Sequence, residues 1–188
     1  MLFVFRGMRM FQALLAAITL ATGIGTVFSL KAASDSSAWP LLVVPLALGL
    51  VFIWAFGATL RAPTSYVAIS DTGTRIRFAG FVDTVVANGN ITGARLMRWP
   101  LLGGLGVRMA FRGDVALASA WGEAVELAFR EPVRIWLIPR ILPVRARRLA
   151  LTVRNPEKMV ERFGPPEGVA SPPTRGASKM RRRGPRTR

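Results

Sequence analysis

MFQALLAAITLATGIGTVFSL, residues 10–30, has no charged side chain in twenty-one positions. WPLLVVPLALGLVFIWAFGATL, residues 39–60, has none in twenty-two. A helix crosses a ~30 Å hydrocarbon layer in about 20 residues at ~1.5 Å per residue. Each run has that length, and no run of the kind recurs beyond residue 62. The pattern therefore predicts a helical membrane hairpin over residues 1–62, followed by a different kind of structure.

Two other readings of these runs are weaker. A cleaved signal peptide has an apolar stretch of about 7–15 residues and a small-residue cleavage site. Here the first run is longer and is followed by Lys31-Ala32-Ala33-Ser34. A buried core helix fits the second run poorly, given its length and its Trp39 and Arg61 boundaries. Arg6 and Arg9 precede the first run and Arg61 follows the second, whereas the turn between them holds one Lys and one Asp. The positive-inside bias then places both termini in the cytoplasm, at the plasma membrane. Neither run carries an ionisable group of the sort that transporters and proton relays use at membrane depth. The hairpin reads as an anchor. Ala13, Ala17, Ala21 and Gly25, with Gly49 and Gly57, give small faces for helix packing or for a homo-oligomer. Pro45 predicts a mild kink.

Composition narrows the chemistry. The chain has 188 residues with no Cys and no His. Disulfides, thiolate metal sites, His-ligated metals and His-based triads are therefore excluded. Twenty-six basic residues against ten acidic give a net charge of +16, which calls for an anionic partner.

From residue 65 the periodicity becomes alternating. Residues 66–70 and 74–78 read as a hairpin about Asp71-Thr72-Gly73. Further strands are expected over 84–87, 91–96, 107–111, 115–118, 125–129, 134–138 and 149–153, with a Pro/Gly-rich loop over 99–106. Asn155 is placed as an N-cap and Pro156 at the first helical position. Met159, Val160 and Phe163 make one apolar face, and Gly164-Pro165 ends the helix. The fold class expected is α+β: the hairpin, then over 63–164 a mostly-β barrel or sandwich capped by the C-terminal helix.

The opening hairpin, Leu105-Gly106-Val107-Arg108 after Trp99-Pro100, Glu126-Leu127 with Pro132 beyond, and the closing run from Arg148 to Glu157 carry a family resemblance. Over residues 62–163 the chain resembles bacterial pleckstrin-homology-like domains on small membrane-anchored proteins. That resemblance implies a seven-stranded barrel-like fold and a binding or scaffolding role toward a protein partner. It implies no catalysis and supplies no ligand residue.

Candidate chemistry is sparse. Gly103-Gly104-Leu105-Gly106 lacks the Lys-Ser/Thr and the helix of a phosphate loop, so it reads as a plain loop. Asp83, Asp114, Glu123, Glu126 and Glu131 are scattered, with no pair bracketed for acid–base work. No catalytic residue, cofactor or metal site is expected. The dense basic cluster is Arg140, Arg145, Arg147 and Arg148, expected in a loop before the last strand, where Ile141 and Leu142 could insert shallowly into a bilayer. The tail, residues 165–188, is expected to be disordered. Its last eighteen residues carry seven basic groups, Arg181, Arg182 and Arg183 among them, and no acid. Anionic phospholipid headgroups are the nearest partner for both clusters. Nucleic acid or the ribosome, bound through the tail, is the alternative.

Overall fold

The apolar runs form two antiparallel helices, α1 (Met8–Ser36) and α2 (Val43–Arg61), in the computed structural model, which describes residues 1–36, 42–110, 113–137 and 142–165. Both are long and apolar enough to cross a membrane. Protein covers only 6% and 17% of their apolar windows, whereas the core helix of a soluble domain is mostly buried. They pack closely where side chains are small. A Cβ at Gly23 would meet the Phe52 ring at 3.1 Å, and one at Gly25 would meet Leu48 at 3.3 Å. The Thr19 and Thr59 hydroxyls approach to 3.5 Å, each also donating to the carbonyl four residues back. Ala13, Ala17 and Ala21 face away from this contact and are exposed. The kink expected at Pro45 has no cause here, because α2 begins at Val43 and Pro45 occupies its first turn, where no helical hydrogen bond is lost.

The hairpin sits inside a β-structure. Ahead of α1 lies a strand that sequence reading missed, β1 (Leu2–Val4). Behind α2 come β2 (Tyr66–Ile69), β3 (Gly73–Phe78) and β4 (Val82–Ala87), giving one antiparallel sheet in the order β1-β2-β3-β4. Leu2, Phe3 and Val4 stand opposite Ala68, Val67 and Tyr66. The second sheet holds β5 (Ile91–Trp99), β6 (Gly106–Ala110), β7 (Asp114–Ala118), β8 (Gly122–Leu137) and β9 (Leu142–Leu151), in the order β5-β8-β9-β7-β6. The β7–β9 pair is parallel.

The fold is thus α+β, with two sheets in place of the closed barrel that was one form of the expectation. Near the N-terminus the sheets meet at one bridge, Phe5 to Val153. Arg6 N–H donating to Thr152 O at 2.8 Å and Arg154 N–H donating to Val4 O at 2.8 Å flank it. The chain turns from this strand into α1 at Gly7, at φ +67°, where a Cβ would lie 2.7 Å from that of Ala120. Only glycine fits both demands.

The core lies between the sheets. Phe5, Ile76, Phe78, Leu117, Leu127, Ile135, Leu149 and Leu151 are fully buried. Phe78 collects Phe5 edge-on at 4.9 Å and Phe11 at 5.4 Å. The first turns of α1 therefore plug one side of the core through Phe11 and Leu15. Twenty-nine helical residues span ~43 Å, of which the uncharged residues 10–30 make up ~31 Å, enough for a hydrocarbon layer, and the rest is Met8, Arg9 and the polar end from Lys31 to Ser36.

The C-terminal helix α3 (Pro156–Phe163) packs against β5 and β8. Its end is tied down by Ala94 N–H donating to Gly164 O at 2.7 Å. Met159 is its fully buried anchor, and Phe163 is only half-buried. Asn155 does not cap through its side chain. It takes the left-handed conformation, φ 54° and ψ 58°, and turns the chain out of the sheet into Pro156.

Candidate functional site

Two strands predicted as short pieces are long. Residues 125–129 and 134–138 were expected as separate strands, but β8 runs unbroken from Gly122 to Leu137. Its partner β9 begins at Leu142. The arginine cluster expected in a loop is therefore in a strand, and Arg145, Arg147 and Arg148 all lie on β9. The two strands slip register between Ala128 and Val133, with Pro132 inside the slip, where no ladder bond is required of it. Asn90 braces this stretch, its amide donating to Glu131 O at 3.0 Å and its side-chain oxygen accepting from Glu131 N–H at 2.7 Å.

The slip decides which way the arginines point. Ala146 and Leu149 are buried, so the inward positions are three residues apart instead of two. Arg147 and Arg148 are both left on the outside, their amides directed at the one carbonyl of Gly113 at 2.7 and 3.5 Å. Such an irregularity re-aims side chains that strict alternation would separate.

The three arginines meet different surroundings. Arg148 lies 4.0 Å from Glu126, whose carboxylate is chiefly held by Arg95 at 2.9 Å. That part of the surface is partly neutralised, two guanidiniums sharing one carboxylate. Arg145 stands directly across from Arg134 in the β8–β9 pairing. Neither of these two, nor Arg147, has a carboxylate within ion-pair distance among the described residues. Like charges placed opposite each other on a sheet are unfavourable, and an anion lying between them removes the penalty. Arg134 also lies 6.0 Å from the centre of the Trp136 ring.

A groove of about 280 Å³ on the outer face of the second sheet continues this surface. Ala116 and Ala150 make a shallow floor, because a methyl group leaves room above the sheet. Arg108, Asp114, Glu126 and Arg148 ring it, with Trp99 and Met97 at one end. The Trp99 indole N–H donates to Gly104 O at 2.9 Å, so the loop after β5 is fixed. Gly104, at φ +69°, lies close under the Arg108 guanidinium. The glycine-rich segment, a plain loop by sequence, thus passes beneath Arg108. Sequence reading missed Arg95, Arg108, Arg134 and Glu126. The signal was alternation in β5, β6 and β8, which turns each outward; Arg95, Glu126 and Arg108 share one cross-strand row, and Arg134 lies farther along β8.

Arg140, Arg181, Arg182 and Arg183 lie outside the described residues, as do Ile141 and the tail from residue 166. On the first sheet, Arg75 is doubly hydrogen-bonded to Asp83 at 3.0 Å on each arm, which raises its already high pKa and leaves it charged at any ordinary pH. Among the described residues, no group of three or more acidic side chains is arranged to hold a metal ion. Planar guanidiniums on a shallow, partly unpaired surface can bind phosphate or carboxylate oxygens in pairs. No known protein family matches the chain, and no curated protein or solved structure does.

Proposed function

We propose that this chain is a non-enzymatic integral membrane protein whose hairpin holds a pleckstrin-homology-like domain at the cytoplasmic face, where its basic surface binds anionic phospholipid headgroups or an acidic protein partner. The observation that carries the reading is the Arg134, Arg145 and Arg147 ridge. Among the described residues it has no carboxylate within ion-pair distance, and it belongs to a domain joined directly to two long apolar helices. Near an anionic leaflet each basic residue adds about 1 kcal/mol of attraction. Pairing of β1 with β2 supports the even number of crossings, since it sets the two ends of the hairpin side by side. The basic tail, seven cations in its last eighteen residues, adds to the same attraction.

Two experiments test this. A reporter active only outside the cytoplasm should work when inserted at Ser36 and stay silent when fused after Arg188; the reverse pattern would refute the orientation. Full-length protein in nanodiscs of zwitterionic lipid should capture vesicles rich in phosphatidylglycerol, and added salt should release them by screening. Removing residues 171–188 should weaken capture, and replacing Arg134, Arg145 and Arg147 with Gln should weaken it further. Capture indifferent to salt and lipid charge would sink the electrostatic reading. If RNA displaces the vesicles at physiological salt and loss of the tail abolishes that competition, the nucleic-acid alternative takes its place.

A further inference from the structure

An apolar groove of about 650 Å³ runs along the junction between the helical hairpin and the second sheet. Phe11 and Leu15, both buried, form its back. Leu14, Ile18 and Trp54 carry it outward onto the exposed flank of the hairpin, where they are 44%, 39% and 47% exposed. On the sheet side its wall is the free edge strand β6, through Val107 and Met109, with Trp121 beside them. Open to water, an apolar surface of this kind is a docking site or a liability.

Depth identifies the occupant. Trp54 precedes Arg61 by seven residues, ~10 Å along the helix. If Arg61 and Arg9 mark the headgroup level, the groove opens there and continues into hydrocarbon. Two tryptophans line it, Trp54 and Trp121, as suits that boundary. The lining has one ionisable side chain, Arg108. Its guanidinium lies over Gly104 and has no carboxylate within ion-pair distance among the described residues. A hydrocarbon wall continuous with the apolar helices and ending at such a cation is complementary to an anionic amphiphile.

We propose that this groove seats one acyl chain of an anionic bilayer lipid, with the phosphate at Arg108. The inference rests on the reading that α1 and α2 cross the membrane. The probes are phosphatidylglycerol and phosphatidylcholine, each with a photoactivatable acyl chain, in vesicles containing the full-length protein. The phosphatidylglycerol probe should label Met109 and Trp121, which lie on the β-domain. The phosphatidylcholine probe should label them about five-fold less, one basic residue's share of headgroup attraction. Arg108→Gln should erase that preference. Ile18→Trp, a change on a lipid-facing position, should fill the groove and suppress labelling of Met109 and Trp121. Labelling confined to outward helix positions such as Phe28, Leu46 and Ile53 would overturn the groove site and leave the membrane reading standing. No labelling of the helices would overturn the membrane reading itself. Cross-links joining two copies through Met109 or Trp121 would assign the groove to self-association and likewise overturn the proposal.

Discussion

Phe5→Ala should unfold the β-domain at a cost of about 3–5 kcal/mol, the range for emptying a fully buried aromatic site. Phe5 is 1% exposed, meets Phe78 edge-on and bridges to Val153, where the two sheets meet. Its removal leaves a cavity and loosens the strand that Ser119 fastens by donating to Arg6 O at 2.6 Å. Denaturation of the full-length protein in detergent, followed by tryptophan fluorescence, would measure the loss. The helical circular dichroism of α1 and α2 should persist. Leu2→Ala, on the exposed face of the same strand, should change stability by no more than about 0.5 kcal/mol. A Phe5→Ala loss below about 1 kcal/mol would mean the segment ahead of α1 does not contribute to the core. It follows that a fragment starting at residue 62 lacks β1, Phe5, Phe11 and Leu15, and is not a sound stand-in for the domain.

At the other side of the core, Met159→Ala should cost about 2–5 kcal/mol and Phe163→Ala less, about 1–2 kcal/mol. The order reverses what side-chain size alone suggests. Met159 is fully buried where α3 packs on the second sheet, whereas Phe163 is partly exposed. Thermal melts of the two variants decide the matter. If Phe163→Ala were the more damaging, α3 would be rotated from the position described.

Both predictions turn on features with unequal traces in the sequence. The apolar helices, the hairpin of β2 and β3 about Asp71-Thr72-Gly73 and the short α3 were all legible, because each rests on local periodicity and turn chemistry. β1 was not. Leu2-Phe3-Val4 is too short to show a period, and its partner lies beyond the entire helical hairpin. The continuity of β8 was hidden by Pro132, which normally breaks a strand but here occupies the register slip. The same slip concealed the candidate surface. Alternation cannot foretell that Arg147 and Arg148 both face outward, nor that Arg134 stands opposite Arg145. Ion pairs between distant strands, such as Arg95 with Glu126, depend on a sheet order that no local pattern encodes.

Because β1 and β2 are neighbours in one sheet, the helical hairpin is in effect a long insertion into the turn of a β-ribbon. A domain hung from a single peptide linker can swivel and sample many heights above a bilayer. This one is gripped at two points, by α1 and α2 together. With both helices in a membrane, as proposed above, its tilt would follow theirs. A partner bound there would meet a surface whose orientation is already restricted, with part of the orientational penalty of encounter removed beforehand.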